Sequence, residues 1–87
     1  MTRTILTTDI TIPAELWTTA ILPEGILERW IFGDDTLVEA GDPVAAVRIE
    51  GALHTIPAPS RGRLNIGLRT NSVIEPGTTI GAITRVL

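Results

Sequence analysis

His54 is the only histidine of the chain, and the only side chain whose ordinary pKa lies near neutral pH, so it is the first candidate for acid–base chemistry. It could serve as a general base or as a pH-sensitive contact. A Ser-His-Asp arrangement would have to recruit Ser60 or Ser72, and neither serine lies in a nucleophile elbow. We therefore interpret His54 as an exposed strand histidine and predict that the protein is not an enzyme.

Metal-ion chemistry has few candidate ligands. The chain contains no cysteine and one histidine, so a zinc site of the usual composition cannot be assembled from it. Asp34, Asp35 and Asp42 could gather around a cation, but they show no calcium-loop spacing, and carboxylates in turns are usually solvated. We predict no metal site.

The charge distribution argues against a nucleic-acid partner. Seven arginines and ten acidic residues give a net charge of −3, and eight of the acids lie in residues 1–43, whereas five of the arginines lie in residues 44–87. Arg61, Arg63 and Arg69 could line a phosphate-binding strip, but no aromatic residues are interleaved with them for base stacking. We interpret these arginines as a solvated face.

Lysine is absent from all 87 residues, although it is among the commonest residues of globular proteins. Its absence excludes Schiff-base chemistry, a phosphate-binding P-loop lysine, and the covalent attachment of biotin or lipoate to a lysine amine. The sequence therefore predicts no covalently bound cofactor of these types.

Length and hydropathy indicate one small domain over residues 1–87, mostly core and without a large internal cavity. No apolar run approaches the roughly 20 residues of a membrane-spanning helix. The amino-terminal residues show no secretory signal, so we expect a cytoplasmic protein without a membrane partner.

The elements that must position these side chains are strands. β-branched residues are abundant, with twelve Ile and thirteen Thr, and Gly, Pro, Asn and Asp punctuate the apolar runs at short spacing. Eight strands are predicted, at about residues 9–12, 25–31, 36–38, 44–50, 52–56, 62–68, 73–75 and 80–86. No dozen-residue window keeps a helical apolar period, so we expect an all-β sandwich or barrel without a substantial helix.

An internal repeat relates the two halves of the chain. Residues 36–47 align with residues 72–83 at an offset of 36, with three identical positions out of twelve. Two copies are too few for a solenoid, so we predict two halves, about 9–50 and 52–86, related by a pseudo-twofold axis. The alternative is a chance similarity between two β-hairpins.

Between the two copies lies a tight hairpin over residues 47–56. Glu50-Gly51 suits a two-residue hairpin loop, since Gly accepts the positive φ that such turns require. The Pro-rich segment 57–62 follows at once and cannot continue a strand ladder, so it leads the chain into the second half. We therefore expect the hairpin tip to project from the symmetric body.

The order and spacing of the turns resemble those of the lipoyl domain of 2-oxoacid dehydrogenase acyltransferases. The segments that carry the resemblance are residues 12–14, 24–30, 39–45, 56–62 and 75–81, together with the hairpin. Biotinyl domains share this fold, but the Glu-Gly-x-x-x-x-Trp stretch at 24–30 favours the lipoyl branch. The resemblance implies a flattened barrel, or barrel-sandwich hybrid, of two four-stranded antiparallel sheets, with the termini at one end and the hairpin tip at the other.

One departure from that family changes the expected function. Lipoyl domains carry the lipoate-accepting lysine at the hairpin tip, usually between an acidic residue and an alanine, whereas these positions are Glu50, Gly51 and Ala52 here. Glycine has no side chain to acylate, and no neighbouring lysine replaces it. The resemblance thus implies a carrier-like domain that cannot be lipoylated or biotinylated.

With cofactor attachment excluded, recognition by a partner protein is the function that the resemblance still implies. In lipoyl domains, a ligase and partner enzymes grip the hairpin and the loop after the first strand, which here spans about residues 15–20. Trp17 in this loop is either an interface anchor or a core residue that covers the end of the barrel, and Trp30 is predicted to be core. The candidate partner-binding residues are Trp17, Thr18, Glu50, Gly51, Ala52 and His54.

Three hypotheses follow. The first is a non-catalytic pseudo-carrier that binds a decarboxylase, an acyltransferase or a ligase-type enzyme. The second is a lysine-lacking form of a carrier or acyltransferase component of a 2-oxoacid dehydrogenase-like or biotin-dependent complex. The third is an enzyme in its own right, or a structural domain like those of periplasmic efflux adaptors, which contain lysine-free lipoyl-like domains. The two halves of those domains are split by a long helical insertion, and the contiguous halves of this chain weigh against that hypothesis.

Overall fold

The computed structural model describes residues 3–87. Met1 and Thr2, which belong to the predicted 1–87 domain, lie outside the described residues. The rest of the chain forms eight strands and one short 3₁₀ turn at Ala14–Leu16. The strands are β1 (Ile5–Thr11), β2 (Gly25–Trp30), β3 (Leu37–Val38), β4 (Pro43–Ile49), β5 (Ala52–Pro57), β6 (Gly62–Ile66), β7 (Val73–Ile74) and β8 (Thr79–Val86).

The prediction of eight strands without a substantial helix is confirmed, and only the first strand differs clearly from its predicted bounds. β1 begins at Ile5, four residues before the predicted start, and pairs with β8 from Ile5–Val86 onward. The side chains of residues 5–8 are all exposed. These residues therefore lack the alternation of buried and exposed positions that identifies a strand in a sequence.

The strands form two four-stranded antiparallel sheets, which makes the fold a sandwich rather than a closed barrel. The first sheet has the order β1-β8-β6-β3 and the second has the order β5-β4-β2-β7. Strand pairing occurs within each sheet. The two inner faces pack against each other, as in other two-layer β folds.

The predicted pseudo-twofold symmetry is present in the strand order and in the turns. Each strand of the first half has a counterpart four strands later: β1 with β5, β2 with β6, β3 with β7 and β4 with β8. When every strand is exchanged with its counterpart, the order of one sheet becomes the order of the other. The two Gly turns are equivalent, because Gly41 N–H donates to the Ala58 carbonyl and Gly77 N–H donates to the Ile12 carbonyl, both at 2.9 Å. Matching hydrogen bonds at matching positions show that the two turns are structurally equivalent.

The core consists of aliphatic side chains from both sheets. Its largest fully buried members are Ile10, Ile12, Leu27, Ile49, Leu64, Ile74, Ile80, Ile83, Val44 and Val47. Trp30 is partly exposed and packs against this core, and its indole N–H donates to the Leu68 carbonyl at 2.9 Å. No polar or charged residue between positions 3 and 87 is buried. The polar and charged side chains of the described residues therefore lie at or near the surface.

Candidate interaction site at the β4–β5 hairpin

The tip of the β4–β5 hairpin is a two-residue turn, as predicted. Ile49 pairs with Ala52, and Glu50 and Gly51 between them have φ values of 52° and 80°. Positive φ at both central residues is the type I′ geometry that matches the twist of the flanking strands. Glycine adopts this conformation readily, whereas glutamate does so at a cost. Glu50 must therefore be held in place by other contacts.

Those contacts come from the loop between β1 and β2. The Glu50 carboxylate accepts hydrogen bonds from the Thr18 N–H at 3.1 Å, from the Thr18 hydroxyl at 2.8 Å and from the Thr19 N–H at 3.2 Å. These donors are 31 to 32 residues away in sequence. The carboxylate thus ties the loop to the hairpin tip, so the two segments form one surface, as the resemblance implies.

The same hydrogen bonds set the ionisation of Glu50. They lower its pKa, with the Thr18 hydroxyl as the largest cause and the Thr18 N–H as the next. Partial desolvation opposes this shift, while the Thr19 N–H and the charge of His54 add to it. The charged form of Glu50 is therefore the one that clamps the loop.

Trp17 is part of the core. Only 8% of the residue is exposed, and its indole N–H donates to the Glu24 carbonyl at 3.1 Å. Of the two alternatives that the sequence left open, the structure shows the one in which Trp17 covers the end of the core. The ring underlies a shallow depression of about 360 Å³, which is also lined by Thr18, Thr19, Pro23 and Pro76.

The other predicted site residues remain at the surface. Thr18, Glu50, Gly51 and Ala52 are exposed, and they lie together at the hairpin tip. His54 differs from its prediction as an exposed residue, because it is half-buried. Its cross-strand partner is Val47, which is buried, so the His54 side chain lies on the face of β5 that is turned towards the core.

Ser72, one of the two serines considered with His54, is engaged within its own turn. The Ser72 hydroxyl donates to the Arg69 carbonyl at 2.6 Å within its own turn. Among residues 3–87 no group of three or more His, Cys, Asp or Glu side chains is placed to hold a metal ion. The loop aspartates serve the backbone instead: Asp34 accepts from the Ile66 N–H at 2.8 Å, and Asp42 from the Glu39 N–H at 2.9 Å.

The three arginines considered as a phosphate strip are not gathered in one place. Arg61 pairs with Glu39 at 3.4 Å and Arg63 with Asp35 at 3.9 Å, beside a groove of about 460 Å³ that Arg85 also lines. Arg69 does not line this groove. No helix within residues 3–87 has the length and apolar character needed to cross a membrane.

Two features of this end of the molecule could not be found from the sequence. The clamp between Glu50 and the loop joins segments far apart in the chain, and no motif signals it. The exposed apolar residues Ile26, Leu53 and Val73 lie on three different strands, so only the sheet register brings them together.

Comparison of the chain with protein-family models and with curated proteins finds no match.

Proposed function

We propose that the protein is a non-catalytic interaction module that resembles a lipoyl domain without its attachment lysine. The observation that carries this proposal is the assembly of the hairpin tip and the β1–β2 loop into one exposed surface through Glu50, Thr18 and Thr19. Its partner-binding residues would be Thr18, Glu50, Gly51, Ala52 and His54. Trp17 would contribute indirectly, because its buried ring holds the β1–β2 loop against the core.

The organisation of the molecule supports this proposal in two ways. Among the described residues the polar and charged side chains are at least partly exposed, where a partner protein can reach them. The hairpin tip is held in a defined conformation by charge-assisted hydrogen bonds, and a surface ordered in advance loses less entropy on binding. In this proposal the partner is an enzyme that recognises lipoyl domains, such as a decarboxylase, an acyltransferase or a ligase, and the location is the cytoplasm.

Capture of partner proteins tests the proposed surface. The bait is the full chain, with the variant Ala52→Arg at the hairpin tip and the variant Leu6→Arg as the matched control. Ala52 and Leu6 are both exposed strand residues, so neither substitution disturbs the core. We expect a protein retained by the wild type and by Leu6→Arg to be lost with Ala52→Arg. Retention of the same proteins by all three baits would show that the hairpin tip does not bind them.

The second candidate, a lysine-lacking form of a true carrier, is favoured by the space around Gly51. A Cβ built at this position would meet no other atom within 4 Å, so the cost of a side chain here is the strain of its φ of 80°. The chain with Gly51→Lys, co-expressed with a lipoate ligase or with a biotin ligase, should then gain the mass of one lipoyl or biotinyl group. An unchanged mass with both ligases would show that the surface a ligase recognises is not present.

A further inference from the structure

The outer face of the second sheet carries an exposed apolar row that runs across all four strands. Val73 on β7 is paired with Ile26 on β2, Ile26 with Arg48 on β4, and Arg48 with Leu53 on β5. Val73, Ile26 and Leu53 are 56%, 38% and 49% exposed. Directly paired side chains lie about 5 Å apart. These four residues, the outer row, therefore form one continuous surface about 14 Å wide next to the hairpin.

Arg48 adds its aliphatic stem to the outer row, because its charge is engaged elsewhere. Its guanidinium donates to the Glu28 carboxylate at 3.0 Å and to the Gly51 carbonyl at 3.3 Å. Long cationic side chains commonly cover apolar surface with their stems in this way.

The pseudo-twofold symmetry provides an internal comparison for the outer row. The equivalent row of the first sheet is Leu37, Arg63, Thr84 and Thr7, in the same pairing order. Three of its four residues are polar, whereas the outer row has three apolar residues. The fold therefore does not require apolar side chains at these positions, and their presence on the second sheet needs another reason.

The same symmetry shows that a positive charge present at the edge of the first sheet has no equivalent beside the outer row. One residue beyond the paired ends of β3 and β6, Arg61 forms an ion pair with Glu39 at 3.4 Å. The equivalent positions beyond β2 and β7 are Glu24 and Glu75, which continue the Gly25–Ile74 register. Two carboxylates thus stand where the first sheet has an ion pair, and neither has an ion-pair partner within residues 3–87.

We propose that the outer row, with Glu24 and Glu75 at its edge, is a docking site for a short segment of another protein that carries an arginine or lysine between apolar side chains. The cation would lie against the two carboxylates, as Arg61 lies against Glu39, and the apolar side chains would cover Val73, Ile26 and Leu53. The size of the site indicates a segment rather than a domain, since three half-exposed side chains supply far less than the ~800 Å² per partner of a standard interface.

This site shares no residue with the hairpin surface proposed above, so the two proposals can fail separately. Substitution of Ala52 tests the hairpin surface and leaves the outer row intact. Substitution of Glu24 and Glu75 tests the docking site and leaves the Glu50 clamp intact.

The test is a titration of the isotopically labelled full chain, followed by the backbone amide chemical shifts of Ile26, Leu53 and Val73. The probe is a capped heptapeptide, Ser-Leu-Arg-Leu-Arg-Leu-Ser, and its control has both arginines replaced by citrulline, which has the same shape without the charge. We expect saturable shifts at the outer row with the arginine peptide and at least tenfold weaker binding of the citrulline peptide.

Protein variants complete the design. Glu24→Gln/Glu75→Gln should weaken binding of the arginine peptide about tenfold, whereas Asp9→Asn/Glu15→Gln, with the same change of net charge at other exposed sites, should not. Ile26→Thr should also weaken binding, and Ile5→Thr should not. Equal affinity for the two peptides, shifts away from the outer row, or no shifts at millimolar peptide would overturn the proposal. Concentration-dependent shifts without peptide that vanish in Glu24→Gln/Glu75→Gln would assign the surface to a second copy of the chain and also overturn it.

Discussion

At the scale of single residues, Glu50 makes the most informative contact of the hairpin end. It takes a positive φ that glutamate disfavours, and its carboxylate holds three donors from the β1–β2 loop. A local backbone cost is thus offset by hydrogen bonds to a charged acceptor. Because these bonds favour the charged carboxylate, the clamp depends on pH.

Acidification is expected to release the clamp. The pKa of Glu50 is lowered in the folded protein from its usual value of 4.5. Its contribution to stability is therefore fully present above that value and is lost as the pH falls through the lower, folded-state pKa. Glu50→Gln should melt at a lower temperature than the wild type at neutral pH, and the difference should shrink in acid. Thermal melting followed between neutral and acidic pH measures it, and Glu15→Gln, an exposed acid of the 3₁₀ turn, is the control. A pH-independent difference for Glu50→Gln would contradict an ionised clamp.

Replacement of Trp17 should show whether the loop depends on its burial. Trp17→Ala removes the ring of a residue that is only 8% exposed, and should destabilise the protein by about 3–5 kcal/mol. Trp17→Phe retains a ring but not the hydrogen bond to the Glu24 carbonyl, so a smaller loss is expected. Urea unfolding measures both variants. A loss below about 1 kcal/mol for Trp17→Ala would mean that the ring is not a core element in solution.

At the scale of elements, the sequence predicted seven of the eight strands closely because turn residues bound them. The turn after β3 is closed by the Asp42 N–H, which donates to the Glu39 carbonyl at 3.1 Å. The turn after β7 is closed in the same way by the Thr78 N–H, which donates to the Glu75 carbonyl at 3.0 Å. The first four residues of β1 were not predicted as strand because they bury no side chain. The outer row could not be predicted for a different reason, because it depends on the register across four strands. A shift of one residue in any strand would place that strand's member on the other face of the sheet.

The element ends of the second sheet give a prediction of their own. Glu24→Arg would place an arginine opposite Glu75 and reproduce the Arg61–Glu39 pair of the first sheet. We expect stability to rise by about 0.2–1 kcal/mol, less at high salt, because exposed ion pairs are weak and screened. Urea unfolding of Glu24→Arg beside Glu24→Gln separates the new ion pair from the removal of one negative charge. If both variants had the same midpoint, Glu24 and Glu75 would not be equivalent to Arg61 and Glu39.

At the scale of the whole molecule, the pseudo-twofold axis separates what the fold requires from what it does not. Features present in both halves, such as the Gly turns and the buried aliphatic positions, belong to the architecture. Among residues 3–87, the features without a symmetric counterpart are the Glu50 clamp, the outer row and the unpaired carboxylates. All three belong to the hairpin end, so the asymmetry of the chain is concentrated where a partner is proposed to bind.

The symmetry also predicts equal energetic roles for the two Gly turns. Gly41 and Gly77 have φ values of 90° and 83°, and a Cβ added to either would meet no atom within 4 Å. The cost of Gly41→Ala and of Gly77→Ala should therefore be backbone strain alone, about 1–2 kcal/mol each. Because the turns belong to separate halves, the double variant should lose the sum of the two. Urea unfolding of the three variants measures this, with Gly33→Ala, which has neither a positive φ nor a close neighbour, as the near-neutral control. Costs that differ by more than a factor of two would show that the two turns, although alike in geometry, are not energetically equivalent.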